Sequence, residues 1–414
     1  MKTSSHRSFV AAMAIDSIGA GVFQPASALF LLSTTDLGLP AIGAALTLAG
    51  LLALPVGAWS GRVIDEIGPR PVMMLANTAQ AAGLAGYLVL HSFVGIVACA
   101  WVAAAGRGVF FGTAHVAVSA IAGPGERERW LARISGIRNL GQAGGGLVAA
   151  VALAAGTRTA YTTLVVLTIL AFLGAVPLMR GVPRPVPDDH ALPLAQQSWA
   201  TVLRDRAFRL VLAQWALFVV SATVLTLAVP VYVVVVLGLP GWVAGATFTL
   251  NTLLIGFGQS PVVARLHGRL RSRVMVASHL AYALGYVVLW AAAAADGTTA
   301  IVIVMLGIAV YTVGETIGWP VSSAVATDSA PAELRGRYLA LFQLVASAVV
   351  AAVPSVLTAL LAVGAAATWS PLIGVAALGA ALAWLTGRTV PAAALRVGES
   401  ARVEVLEPVG ARRE

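Results

Sequence analysis

Three ionisable residues, Asp16, Arg107 and Glu315, lie inside long apolar segments. A charge at the centre of a bilayer costs about 2.5 to 3.5 kcal/mol on insertion scales, so such residues commonly carry ions or protons. Glu315 has no basic residue on the neighbouring turns, and its carboxyl can therefore hold a proton until the site opens to water. We predict that all three take part in proton coupling and that Asp16 pairs with Arg107. The alternatives are a static ion pair that orients helices and a permanently protonated Glu315 bonded to another helix.

Polar and aromatic side chains recur at helical spacing around these charges. On a helix, Gln24 shares a face with Asp16, and Tyr311 and Trp319 share a face with Glu315. An aromatic ring beside a carboxylate suits an amphipathic or cationic substrate. Single amides in a bundle also serve as bridges between helices, which is the structural alternative. The predicted substrate-binding residues are Gln24, His115, Gln142, Gln214, Tyr232, Asn251, Tyr311, Trp319 and Gln343.

The composition places these residues in a membrane. Of the 414 residues, 59% are hydrophobic and only 10% are charged, which excludes a water-soluble globular domain. Twelve segments reach the length of about 20 residues that spans a bilayer, the second of them from Pro40 to Ser60. Segments that are apolar on all faces must satisfy their backbone internally, which requires helices. The predicted fold is an all-α membrane protein with twelve transmembrane helices in two pseudo-symmetric six-helix bundles.

Two polar segments separated by 200 positions indicate an internal repeat. Gly61 to Arg70 and Pro261 to Arg273 each follow the second apolar segment of their half, so that Gly68 corresponds to Gly268. Duplication within a membrane protein is typical of transporters. The predicted division is an N-terminal half at 1–180, a cytoplasmic linker at 181–207, a C-terminal half at 208–388 and a cytoplasmic tail at 389–414.

The basic residues predict the orientation. Under the twelve-span assignment, 23 of the 26 Lys and Arg fall on the side of the N-terminus, only Arg158 falls opposite, and Arg107 and Arg138 lie within spans. The positive-inside rule then places both termini in the cytoplasm, and we expect a multi-pass protein of the cell inner (plasma) membrane. The charge is scattered over many loops, which argues against nucleic-acid binding.

Absent motifs narrow the chemistry. The only lysine is Lys2, so a Walker-type phosphate loop cannot form. The six histidines are dispersed, Cys99 is the only cysteine, and Ser260 has no base beside it. We therefore expect no enzyme activity, no cofactor and no metal site. The expected partners are a small-molecule substrate, protons and the lipid bilayer, and we expect a monomer.

The segment with Gly61, Asp65, Gly68 and Arg70 resembles the signature loop of the major facilitator superfamily, and Pro331 to Tyr338 resembles a second segment found in many bacterial members. The likeness extends over nearly the whole chain. Two further stretches resemble bacterial drug and metabolite exporters of the proton-antiporter type, namely Asp16 to Gly19 with Pro25, and Arg138 to Gly141. Departures from the family pattern are Glu66 and Pro69 in the signature loop, and glycines without a proline in the fifth span.

This resemblance implies alternating access between two halves, with proton-driven efflux of small amphipathic compounds. The alternatives are uptake or facilitated exchange of a small polar metabolite and, more remotely, a membrane sensor or scaffold that transports nothing. The signature loop would act as a conformational switch: Gly61 and Gly68 allow a tight turn, and Asp65 pairs with a helix N-terminus, with Arg70 or with a nearby helix. Because Arg265 replaces the acid in the second copy, we expect no mirrored ion-pair latch there.

Overall fold

The computed structural model describes residues 2–121, 127–181, 199–331, 334–390 and 394–397. Nearly all of this part of the chain is helical, and within it the only β pairing is an isolated antiparallel bridge between Leu270 and Arg396. The helices are α1 Lys2–Phe23, α2 Ser27–Thr34, α3 Leu39–Ile67, α4 Pro69–Tyr87, α5 Phe93–Ile121, α6 Arg127–Ala155, α7 Arg158–Leu178, α8 Trp199–Arg204, α9 Arg206–Val231, α10 Trp242–Arg265, α11 Arg271–Ala291, α12 Gly297–Asp328, α13 Arg335–Val363 and α14 Ala365–Thr386.

The helices that could cross a membrane agree with the predicted all-α membrane fold. Within the described ranges, nine are long and apolar enough to do so: His6–Thr34, Leu39–Gly57, Phe93–Val118, Arg158–Gly181, Arg206–Val236, Arg271–Ala294, Gly297–Asp328, Arg335–Val363 and Ala365–Thr386. The sequence predicts three more spans where α4, α6 and α10 lie. Most of the predicted linker, 182–198, falls outside the described residues, and the short helix α8 lies near its end.

Prolines inside the helices have different local effects. Pro25 lies in a 3-10 turn, Gln24–Ala26, that separates α1 from α2 within the first span. Pro55 and Pro320 lie inside continuous α-helices, while Pro230 is followed by a π-helical turn at Tyr232–Val236. A proline removes one backbone hydrogen bond, and neighbouring helices in a bundle can compensate for the loss.

The long helices fall into an N-terminal group, α1 to α7, and a C-terminal group, α9 to α14. Both groups show the same pattern of neighbouring helices. Helix α4 packs against α5 and α7, α3 against α5, and α1 against α7. In the same way α11 packs against α12 and α14, α10 against α12, and α9 against α14. Two pairs make the most extensive contacts between the groups, α3 with α13 and α6 with α10, and these two pairs correspond to one another under the same repeat.

Glycines allow α6 to pack closely on two sides. A Cβ added to Gly145 would meet the backbone of Ile18 and Val22 in α1, whereas one added to Gly146 would meet Thr249 and Phe248 in α10. The glycines of α6 therefore serve close packing between helices. Helix α6 lies between α1 and α10.

The two related polar segments share a backbone feature. Gly68 and Gly268 have φ angles of 82° and 75°, a left-handed conformation that glycine adopts without steric cost. Gly68 alone connects α3 to α4, and Gly268 lies in the short connection from α10 to α11. The offset of 200 positions between the halves is thus matched in the backbone of both turns.

Candidate functional site

The C-terminal group of helices carries a carboxylate held by an amide. Asn251 of α10 donates from Nδ2 to Glu315 Oε2 of α12 at 2.9 Å and also to Thr312 Oγ1 at 3.0 Å. Glu315 is half-buried, and no described Arg, Lys or His lies within ion-pair distance of it. A carboxyl group in this setting can bind and release a proton without breaking an ion pair.

Aromatic rings lie one turn from Glu315 along α12. Trp319 is 45% exposed, and its ring packs edge-on against Trp215 at 5.1 Å and Phe218 at 6.1 Å between centroids. Tyr311, one turn on the other side, is fully buried and donates to Ser221 O at 2.7 Å. Trp319 is therefore the aromatic side chain of this pair that a bound molecule can reach.

The N-terminal group of helices carries two arginines that contact one aromatic ring. The guanidinium carbons of Arg107 in α5 and Arg138 in α6 lie 5.7 Å and 4.1 Å from the centroid of Phe111. When the Gln24 amide is oriented with its oxygen toward α5, that oxygen accepts from Arg107 Nη1 at 3.2 Å and from Nη2. The exposed Arg107 guanidinium and the partly exposed Arg138 give this cluster two positive charges.

Asp16 is buried near these arginines but does not form the predicted direct pair with Arg107. In the described part of the chain the one ion pair is Arg271 with Asp328, and Asp16 Oδ1 has no hydrogen-bond partner. Arg138 and, more weakly, Arg107 attract the Asp16 carboxylate electrostatically without bonding to it directly. The contact with Arg107 is instead made by Gln24, which lies in the 3-10 turn after α1.

The other predicted substrate residues divide by exposure. Gln214 is 1% exposed and shares a 3.0 Å hydrogen bond with His279 Nε2, and the fully buried Tyr232 donates to Leu289 O at 2.9 Å. These contacts make both residues bridges between α-helices, and burial removes them from the candidate site. The residues that keep exposed or partly exposed side chains are Gln24, His115, Gln142, Trp319 and Gln343.

The structure corrects the predicted switch loop. Gly61 and Asp65 lie within α3, which continues to Ile67, so Gly68 alone forms the turn. Asp65 is exposed, and it accepts no hydrogen bond from Arg70 or from the backbone N–H groups in the first turn of α4. The helix extends past the predicted end because no proline follows Pro55 within it and the charged residues Arg62, Asp65 and Glu66 are exposed on its surface.

An ion pair does occur at the second copy of this segment, although it is not a mirrored copy of the proposed latch. Arg271 at the start of α11 donates from Nη1 to Asp328 Oδ2 at the end of α12, at 2.7 Å. The acid comes from a different helix and not from the position that matches Asp65, which the comparison of the two segments could not reveal. This contact ties the ends of two helices that pack along their length.

Sequence reasoning also missed three polar or charged residues in the N-terminal group of helices. Arg138 is the clearest, since its position inside a predicted span was visible and only its contact with Phe111 was not. Asn77 and Gln80 of α4 form a buried pair, with Gln80 Nε2 donating to Asn77 Oδ1 at 2.9 Å, and Asn77 donates to Phe172 O at 3.2 Å. Their spacing of three residues on one helical face was the available signal.

Solved structures of peptide and nucleoside transporters share this fold. A peptide transporter POT in complex with sulfate aligns with a TM-score of 0.74 at 14% identity, covering 93% of this chain and 95% of that chain. A bacterial homologue of the human drug peptide transporters PepT1 and PepT2 gives 0.72 at 16%, covering 94% and 99%. The nucleoside transporter NupG gives 0.67 at 14%, covering 93% and 98%.

Sequence comparison identifies the family. Among curated protein sequences, none matches this chain. Residues 9–354 match the family profile of the Major Facilitator Superfamily, which is most of the 414-residue chain. The chain therefore belongs to the Major Facilitator Superfamily of membrane transporters.

Proposed function

We propose that this protein is a proton-coupled transporter that exports small amphipathic compounds by alternating access. In this proposal α4, α6 and α10 complete a set of twelve spans, and the halves at 1–180 and 208–388 form two six-helix bundles that move against each other. The repeated pattern of helix neighbours supports this division, because only α3 with α13 and α6 with α10 make extensive contacts across it. Both termini would lie in the cytoplasm of a cell with the protein in its inner membrane.

The observation that carries the proton coupling is the contact between Glu315 and Asn251. The amide donates to the carboxyl at 2.9 Å, and no described basic residue competes for it. A protonated Glu315 loses the negative charge that Asn251 stabilises and can reorient within the bundle. Protons then shift the equilibrium between inward and outward states by binding more tightly to one of them.

The partly exposed Trp319 supports an amphipathic substrate. Its ring lies one turn from Glu315 and packs on Trp215 and Phe218, which forms an apolar surface beside a carboxylate. Cations are attracted to the face of an indole, and apolar groups pack against it. We retain Gln24, His115, Gln142 and Gln343 as substrate residues, assign the buried Asn251 to holding Glu315, and omit Gln214, Tyr232 and Tyr311.

The arginine cluster favours a second candidate function, uptake or exchange of a small polar metabolite. Arg107 and Arg138 carry two positive charges against one from Asp16, so that an anionic group could bind at the exposed Arg107 guanidinium. In the preferred function, proton-coupled export, Asp16 instead takes up and releases a proton as the halves move, and this changes its attraction to the two arginines.

Contacts at one end of the helices support alternating access. Thr47 of α3 accepts from the Ser355 N–H of α13 at 2.9 Å, and Gly43 O accepts from Ser355 Oγ at 3.3 Å. Helices α6 and α10 form the other pair that joins the two groups, and there Ala150 of α6 lies close to Gly245 of α10. With the termini in the cytoplasm these contacts form an external gate, and this state opens toward the cytoplasm.

Transport in proteoliposomes tests the proposal. Vesicles with an imposed pH gradient are loaded with a panel of lipophilic cations, with and without a protonophore, for the wild type, Glu315→Gln, Asp16→Asn and the control Glu66→Gln. Glu66 is an exposed carboxylate outside both clusters. We expect gradient-driven transport in the wild type and control, and in Glu315→Gln we expect exchange of substrate without a response to the gradient.

Two results would count against the proposal. If no compound moves in response to the gradient, whereas a small anionic metabolite does, the export function is replaced by uptake or exchange. If Glu315→Gln and Asp16→Asn both keep the wild-type response to the pH gradient, the coupling residues are wrongly assigned.

A further inference from the structure

A basic cavity lies at the start of α11, away from both charged clusters. It has a volume of about 540 Å³ and is lined by Arg269, Arg273 and Arg396 together with apolar residues. All three arginines are exposed, and within the described ranges no carboxylate lies within ion-pair distance of them. The cavity therefore presents positive charge that the described protein does not neutralise.

Part of the C-terminal tail builds one wall of this cavity. The Gly268 N–H donates to Val397 O at 2.9 Å, the Val397 N–H donates to Arg269 O at 3.0 Å, and the Arg271 N–H donates to Leu395 O at 2.8 Å. Arg396 Nη1 donates to Gly268 O at 2.8 Å, so its side chain is held at the turn between α10 and α11. This backbone pairing fixes the position of an arginine from the tail beside two from the turn.

Three of the other lining residues, Val274, Ala277 and Ile317, are apolar and lie deeper along the helices than the turn between α10 and α11. Val274 and Ala277 follow Arg273 on α11, and Ile317 of α12 lies eleven residues before the end of that helix at Asp328. At a rise of about 1.5 Å per residue, Ala277 is about 9 Å from the start of α11. The cavity thus has a charged outer part and an apolar inner part.

We propose that this cavity binds the phosphate headgroup of an anionic phospholipid. The part of an acyl chain nearest the headgroup would pack against Val274, Ala277 and Ile317. Guanidinium groups bind phosphate through paired hydrogen bonds, and basic pockets between transmembrane helices hold anionic headgroups in this way. The order of charge and apolar surface matches a lipid in its bilayer orientation, whereas a soluble phosphate would use only the arginines. The site is independent of which compound the protein transports.

Lipid binding to the purified full-length chain tests this site. Delipidated protein in a neutral detergent is titrated with phosphatidylglycerol or with phosphatidylcholine of the same chain length, and bound lipid is counted by native mass spectrometry. We expect the wild type to prefer phosphatidylglycerol. In Arg269→Gln/Arg273→Gln the affinity for phosphatidylglycerol should fall by about thirtyfold, since each arginine near a membrane surface contributes a factor of about five to six.

Matched variants separate the site from general charge attraction. Arg265→Gln/Arg335→Gln removes two exposed arginines that do not line the cavity, and should leave the affinity within about twofold of the wild type. Ala277→Trp fills the apolar part and removes no charge, so it should weaken lipid binding while thermal unfolding confirms that the protein remains folded.

Three outcomes would overturn the proposal. The first is equal binding of the two lipids, and the second is an equal loss of affinity in both double variants. The third is displacement of phosphatidylglycerol by millimolar inorganic phosphate together with unchanged binding in Ala277→Trp, which would identify a site for soluble anions.

Discussion

Replacing Thr47 with valine should weaken the contact between α3 and α13 and shift the protein away from the state described here. Thr47 Oγ1 accepts from the Ser355 N–H at 2.9 Å and donates to Ala352 O at 3.3 Å, so one hydroxyl makes two contacts between helices. Valine has nearly the same shape and cannot form either hydrogen bond. Gly43 and Gly50 still allow the close approach, and the loss is confined to polar contacts.

The expected magnitude follows from these two contacts. Hydrogen bonds between transmembrane helices contribute about 0.6 kcal/mol each on average, so the two together contribute about 1.2 kcal/mol. If the opposite state makes neither contact, the ratio of the two states changes by about eightfold. The longer contact to Ala352 is the weaker one, which makes this value an upper estimate.

Distances between spin labels on the two helices measure this shift. Cys99 is the only cysteine, so labels can be placed at Ile67 and Arg335 in a Cys99→Ala background. Both positions are exposed and lie at the ends of α3 and α13 away from Thr47. Thr47→Val should increase the population with the shorter distance at this end.

A threonine outside the interface provides the control. Thr163 is exposed and its hydroxyl bonds only to Thr159 O within α7, at 2.8 Å, so Thr163→Val removes a hydroxyl without touching the contact between α3 and α13. If Thr47→Val and Thr163→Val give the same distance distribution as the unsubstituted protein, these hydrogen bonds do not stabilise the state and the gate is wrongly assigned.

Three further predictions concern packing, the ion pair and the substrate. Gly145→Ala should lower the free energy of unfolding by about 1 to 3 kcal/mol in thermal or denaturant experiments, because its Cβ would meet the α1 backbone, whereas Gly144→Ala has open space and should be neutral. Arg271→Gln should cost about 2 to 3 kcal/mol, less than a fully buried pair because the Asp328 side chain is 20% exposed, and adding Asp328→Asn should recover part of this loss; a double-mutant cycle without coupling would contradict it. Trp319→Leu should weaken the apparent affinity for a lipophilic cation by about fivefold in transport assays while sparing a neutral compound of similar size, and equal effects on both would remove the cation–π argument.

Much of the architecture could be predicted from local sequence. Long apolar runs specify helices in a membrane because unpaired backbone groups are too costly in hydrocarbon, and the helices occur where those runs lie. The correspondence of Gly68 with Gly268 was also predictable, since a left-handed turn favours glycine. The signature residues sufficed to indicate the family that the profile match over 9–354 confirms.

The candidate site was less accessible to prediction. Glu315, Asn251 and Trp319 were identified from their types and spacing, but their mutual contacts were not. Tyr311 and Tyr232 looked equally suitable and are fully buried. Periodicity defines which residues share a face of one helix, and it contains no information about which neighbouring helix covers that face.

What the sequence determined by itself is the chemistry available in the membrane: a few ionisable groups inside apolar segments, a repeat, and the helices that carry them. Tertiary structure decided how these groups combine. It placed Arg138 over Phe111 beside Arg107, paired Arg271 with Asp328, and brought the tail residue Arg396 to a turn 128 residues away. Such contacts depend on distances between helices that are remote in sequence, and packing of the whole chain sets those distances.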